Sequence, residues 1–133
     1  MNSVSLRIAL LAFLALGLAA ATASAEEAGK PMIVKIHADW CGTCTKLNPT
    51  MDELQTKLGS EAEIVVLDVT DKSAVEKSQA RAEELGIVAF FAEYKSKTGT
   101  VGVLDASGKE IVVLKGETDA DVYVTALAKA KEA

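Results

Sequence analysis

Met32-Ile33-Val34-Lys35-Ile36-His37-Ala38, continuing into Asp39-Trp40-Cys41-Gly42-Thr43-Cys44, is the stretch on which the fold turns. Residues 32–38 are apolar and β-branched, interrupted only by Lys35 and His37, and read as a buried strand. After Gly42, Leu47, Met51, Leu54 and Leu58 recur at helical spacing as far as Gly59, which predicts an amphipathic helix. The two cysteines of the chain therefore fall where a strand hands over to a helix.

That position has chemical consequences. A cysteine at a helix N-terminus faces unsatisfied backbone N–H groups and the positive end of the macrodipole, and both stabilise a thiolate. The thiolate is the attacking species in disulfide exchange. With two residues between them, a single helical turn brings both sulfurs within bonding range. Cys41 is then the exposed nucleophile and Cys44, one turn inside, the resolving thiol. Two other readings stand beside this one. Cys41, Cys44 and His37 are ligands whose softness suits Cu(I) or zinc, although a fourth ligand is hard to name. A purely structural bridge over so short a loop removes little unfolded-state entropy and makes a poor staple. A redox-active dithiol on a βαβ pattern accounts best for the placement.

Working outward, residues 63–69 form a second strand, with Ile64, Val65, Val66, Leu67 and Val69. Ser73-x-x-Glu76 has the form of a capping box and opens a helix that runs to about Leu85 and stops at Gly86. Residues 101–104 and 110–114 are strands joined by Asp105-Ala106-Ser107-Gly108-Lys109, a hairpin signal. Thr118, with Asp121 three residues on, caps a last helix carrying Val122, Tyr123, Ala126 and Leu127. The order β-α-β-α-β-β-α describes an α/β domain with a mixed four-stranded sheet flanked by helices. Strands separated by helices are expected to pair in parallel, and the closing hairpin antiparallel. Residues 87–100 fit less easily. Ala89-Phe90-Phe91-Ala92-Glu93-Tyr94 holds three of the six aromatic residues and reads as a short extra helix covering one edge of the sheet. Its rival reading is an exposed apolar surface for a partner protein.

Composition narrows the function classes. At 133 residues a single domain is expected, and 50% apolar content is too high for a disordered chain. Two cysteines cannot build a disulfide scaffold or a four-thiolate zinc site. A net charge of −5 argues against nucleic acid as a partner. Residues 1–25 read as a secretory signal peptide: Arg7 in the n-region, the uncharged run 8–21, then Ala23-Ser24-Ala25 before Glu26-Glu27. The run is shorter than the ~20 apolar residues a spanning helix needs, so no stable membrane span is expected after cleavage. The mature domain, residues 26–133, has 13 basic against 19 acidic residues. It is expected to be periplasmic or secreted, where a cysteine pair can be oxidised.

Ala38-Asp39-Trp40-Cys41-Gly42-Thr43-Cys44, Pro49 in the helix, the strand Val65-Val66-Leu67-Asp68-Val69, the Asp105/Gly108 hairpin and Gly116 together resemble the thioredoxin superfamily. The resemblance covers essentially residues 32–130. Around Ala38–Cys41 it is most similar to exported thioredoxin-like domains of the DsbD type and of cytochrome c biogenesis. It implies a thioredoxin-like fold and an exported thiol–disulfide oxidoreductase that exchanges disulfides with protein clients and with a redox partner protein. No organic cofactor and no metal are implied. The resemblance leans toward a reductase, while Gly42-Thr43 does not itself set the direction. Only six residues, 26–31, precede the first strand, so the domain resembles the shorter core version of the fold.

Two departures from the family pattern stand out. Family members commonly place a cis-proline before the third core strand, beside the cysteine pair and in contact with substrate. Pro31 and Pro49 are the only prolines, and neither can take that position. Aligning back from the hairpin puts Thr100 or Val101 there, with a trans peptide, because a non-proline cis bond costs about 2.5–4 kcal/mol. The change leaves room beside the sulfurs that in this superfamily can admit a metal. The second departure is Lys35, six residues before Cys41, where thioredoxins usually carry a buried acid. A charged lysine near Cys44 lowers that thiol's pKa, and an unpaired buried one has its own pKa lowered. The alternative is a lysine that snorkels out of the strand or pairs with an acid. His37 shares the strand face of Lys35, where it tunes Cys41, ligates a metal or simply packs. Trp40 and Asp39 frame the site, Trp40 as a rigid apolar wall for docking peptides. The competing functions are a copper-binding module on Cys41/Cys44 and a non-catalytic interaction domain docked through the aromatic segment.

Overall fold

The structure is a computed structural model that describes residues 29–133. The signal-peptide expectation for residues 1–25 lies outside the described residues. Strand β1 (Met32–His37) is the centre of the sheet. It pairs in parallel with β2 (Glu63–Asp68) and antiparallel with β3 (Thr100–Leu104). Strand β3 pairs antiparallel with β4 (Glu110–Lys115), so the sheet order is β2-β1-β3-β4. The helices are α1 (Gly42–Leu58), α2 (Lys72–Leu85), α3 (Val88–Tyr94) and α4 (Ala120–Lys131).

A central strand covered on both faces must be apolar on both, and Met32 through Ile36 are all buried. Val34 and Ile36 pack with Leu67, Ala82, Phe90 and Phe91 on the α2–α3 side. Ile33 packs with Leu47, Leu54, Val103, Tyr123 and Leu127 on the other, beneath α1 and α4. Alternation along the strand therefore sends Lys35 to the face of Ile33, toward α1.

Three local expectations change. Strand β3 follows two helices and enters antiparallel to β1, not parallel. One helix returns the chain to the end at which the preceding strand began; a second carries it back again, so the next strand runs the opposite way. Helix α2 is capped by Asp71, whose carboxylate accepts from the Ala74 N–H, and Ser73 already lies inside the helix. Helix α4 is capped by Asp119, while the Thr118 carbonyl accepts from the Thr50 hydroxyl.

The aromatic segment is core. Phe90 and Phe91 of α3 are buried, and Phe90 stacks near Tyr94 with ring centroids 4.7 Å apart. The ring of Phe90 lies directly against Gly102 of β3, where a Cβ would come within 2.4 Å of it. A glycine in the strand is what lets the helix seat. The two phenylalanines are therefore packing residues and are not presented to a partner.

Candidate active site

The turn Asp39–Trp40 delivers the chain from β1 into α1, and Cys41 is the N-cap of that helix. The Cys41 sulfur accepts from the Cys44 N–H at 3.1 Å, so it occupies the place of the capping oxygen found at most helix starts. Cys41 and Cys44 form a disulfide with Cα atoms 5.2 Å apart. Both lie in the core, but unequally: Cys41 is 8% exposed and Cys44 is sealed at 0%. Of the two, only Cys41 keeps any contact with solvent. The Cys44 sulfur sits 3.6 Å from the Ile36 carbonyl oxygen, to which a reduced thiol would donate.

The surroundings of Cys41 are set by residues distant in sequence. Trp40 is 67% exposed beside Cys41, and its indole N–H donates to the Thr70 carbonyl at 3.1 Å. The Asp39 N–H donates to the Thr70 hydroxyl, which in turn donates to Asp68. Thr70 thus ties the β2–α2 turn to the loop that leads into Cys41. The Asp68 carboxyl lies below its ordinary range; partial burial, which pushes it up, is outweighed by the Thr70 hydrogen bonds and the nearby His37. Thr70 carried no signal in the sequence, since only folding brings it to Trp40.

Gly99, one residue before Thr100, lies beside the Cys41 sulfur. Thr100 pairs with Lys115 in the β3–β4 ladder, and Val101 is wholly buried in the α1–α4 layer. A Cβ on Gly99 would lie 3.8 Å from the Cys41 sulfur and 2.8 Å from Thr43 Cγ2. Gly99 has φ +82°, a conformation other residues rarely adopt, and all described peptide bonds are trans. Gly116, at φ +68°, donates to the Gly99 carbonyl and flanks the same Thr43 methyl group. Thr43 thus fills the space between two glycines, whereas a Cβ on Gly42 would meet nothing. The signal for Gly99 in the sequence is a glycine directly before a strand.

Lys35 neither snorkels to solvent nor forms a direct ion pair. It is 1% exposed, and its amine donates to the Cys44 carbonyl at 2.9 Å and to Asn48 Oδ1 at 2.6 Å. Burial holds its pKa below the usual lysine value, opposed by the attraction of Asp52. His37 is partly buried, with Nε2 3.2 Å from Asp39 Oδ1 and Nδ1 buried without a partner. Among the described residues no group of three or more His, Cys, Asp or Glu side chains is placed to hold a metal ion.

With this geometry in place, the chain can be set beside known proteins. Residues 20–106 match the family model Thioredoxin, and the chain belongs to that family. It is 42% identical over 40 residues to a protein disulfide-isomerase of Zea mays, a match covering 30% of this chain and 8% of that one. It is 32% identical over 50 residues to the chloroplastic thioredoxin Y of Oryza sativa subsp. japonica, covering 38% and 30%. The chain thus spans less than a third of the length of these relatives. Among solved structures, a DsbF homologue from Corynebacterium diphtheriae superposes with a TM-score of 0.54 at 19% identity, over 75% of this chain and 71% of that one. That likeness is one of fold.

Proposed function

We propose that the protein is an exported thiol–disulfide oxidoreductase acting on protein clients that carry cysteines or disulfides. The observation that carries this reading is the asymmetry of the pair. Cys41 caps α1 and keeps a small exposed area, its backbone N–H neighbours and the helix dipole favouring its thiolate, and Cys44 is fully enclosed one turn inside. In exchange, the Cys41 thiolate attacks a client disulfide, forming a mixed disulfide and releasing one client thiolate. Cys44 then attacks the Cys41 sulfur, the Cys41–Cys44 bond forms and the second client sulfur leaves. The client gains two electrons and the pair loses them; a redox partner protein resets the pair. In the opposite direction the same steps oxidise a client dithiol. The resemblance to DsbD-type domains favours the reductive direction.

Cleavage after Ala25, leaving residues 26–133 as the thioredoxin-like domain, belongs to the same proposal, supported by the n-region, apolar run and Ala23-Ser24-Ala25. Among the described residues no helix is long and apolar enough to cross a membrane. The test is client trapping in cells. Cys44→Ser is expected to accumulate a mixed disulfide through Cys41, and Cys41→Ser to abolish exchange. A folded Cys44→Ser protein that traps nothing overturns the reading, and N-terminal sequencing of the exported chain checks the cleavage site.

A further inference from the structure

The exchange reading gives Lys35 no role, yet the structure buries this side chain beside the resolving cysteine. Lysine is almost never enclosed without a purpose or a partner, because taking an ammonium out of water is costly. Here the amine spends two donors on α1, one of them on the main chain of the residue that carries the inner sulfur. Both acceptors are neutral oxygens, so its charge is not cancelled in place. Asp52, one turn beyond Asn48, attracts it from the exposed side of α1. The cross-strand neighbours are apolar, Val66 on β2 and Val101 on β3. On its own strand the other titratable group is His37, whose Nε2 is turned to Asp39. In the layer under α4, the Tyr123 hydroxyl donates to the Glu117 carbonyl.

Cys44 needs such a neighbour. Its sulfur is wholly enclosed and faces the Ile36 carbonyl, and both features favour the neutral thiol over the thiolate. The helix N-terminus offsets this in part. We propose that Lys35 is a positioning residue for the exchange: its buried amine, held on the Cys44 carbonyl and Asn48, favours the Cys44 thiolate and so stabilises the dithiol relative to the disulfide. This rests on the exchange reading and deepens it. In the second step the Cys44 thiolate attacks the Cys41 sulfur, the Cys41–client bond breaks, and the departing client thiolate takes a proton from solvent. Lys35 makes Cys44 a readier nucleophile and shifts the pair toward the more oxidising side of where the helix dipole alone would set it.

The test isolates Cys44 in the full chain carrying Cys41→Ser and follows its Cβ resonance by NMR against pH, a readout that needs no reagent to reach the enclosed sulfur. Lys35→Met keeps length and removes charge; it is expected to move the Cys44 midpoint upward, with about a tenfold smaller thiolate fraction at fixed pH. Lys35→Arg restores the charge and is expected to restore most of that fraction. With both cysteines present, Lys35→Met is expected to shift the glutathione equilibrium about tenfold toward the disulfide form, about 30 mV. An unchanged midpoint and equilibrium in folded Lys35→Met overturns the proposal. Should that variant not fold, the unmutated protein decides: coupling is reciprocal, so the Lys35 Cε resonance must titrate at higher pH in the reduced than in the oxidised protein. Equal midpoints in the two states overturn it as well. None of these readouts needs a client, so their failure is distinguishable from failure of the trapping experiment.

Discussion

A methyl group added at Gly99 probes the wall of the site directly. In Gly99→Ala the backbone keeps φ near +82°, which costs an L-residue roughly 1–2 kcal/mol. The new Cβ also meets Thr43 Cγ2 at 2.8 Å, closer than real Cβ contacts, and Thr43 Cβ at 3.1 Å, tighter than most. Overpacking of this kind costs about 1–3 kcal/mol, so the variant is expected to lose roughly 2–5 kcal/mol. Thr43→Ala removes Cγ2 and with it the worse contact, but leaves the φ strain untouched. A double-mutant cycle by urea denaturation of the oxidised proteins should therefore show about 1–2 kcal/mol of favourable coupling between the two positions. The Gly99→Ala methyl would also stand 3.8 Å from the Cys41 sulfur, so exchange with a folded protein disulfide should slow more than exchange with a small one. Additivity of the two substitutions to within about 0.5 kcal/mol would refute the contact between Gly99 and Thr43. It would also remove the reason for placing Gly99 at the sulfurs.

Two further outcomes follow from the core. Gly102→Ala puts a Cβ 2.4 Å from Phe90 Cε2 and 2.7 Å from Cζ, and the buried ring has little room to yield. A loss of about 1–3 kcal/mol is expected by urea denaturation, partly recovered by adding Phe90→Leu; no loss would mean α3 does not seat on β3 as described. Tyr123, enclosed and near the negative Glu117, has its phenol pushed up to about 12, by burial first and by Glu117 second. A folded pKa above the ordinary 10 means the protonated form is favoured by folding. The stabilisation is then complete below pH 10 and is lost as pH rises through about 12. Absorbance at 295 nm should show a late-ionising component, missing in Tyr123→Phe, with stability falling over the same range. Ionisation of all tyrosine below pH 10 would contradict the burial.

Much of the domain is legible in the sequence. β1, α1 and the cysteines at their junction are local features, written in β-branched runs and in the spacing of Leu47, Met51, Leu54 and Leu58. The β3–β4 hairpin is local too, and Gly108 at φ +86° sits where the turn needs it. The helix caps at Asp71 and Asp119 were missed because several capping residues lie side by side at each start, and only geometry chooses among them.

The sequence by itself determined the order of most elements, the thioredoxin-like class and a cysteine pair at a helix start. Periodicity and local turn chemistry act over a few residues and leave their mark in the chain. Tertiary structure alone decided the rest: the antiparallel entry of β3, the approach of Gly99 and Gly116 to Thr43, the link from Thr70 to Trp40, and the amine of Lys35 on the Cys44 carbonyl. Each joins groups that no local pattern connects, through contacts that exist only once the sheet and its two helical layers have closed. That is why the position of the cysteine pair is legible in the sequence, while the groups packed around it are not.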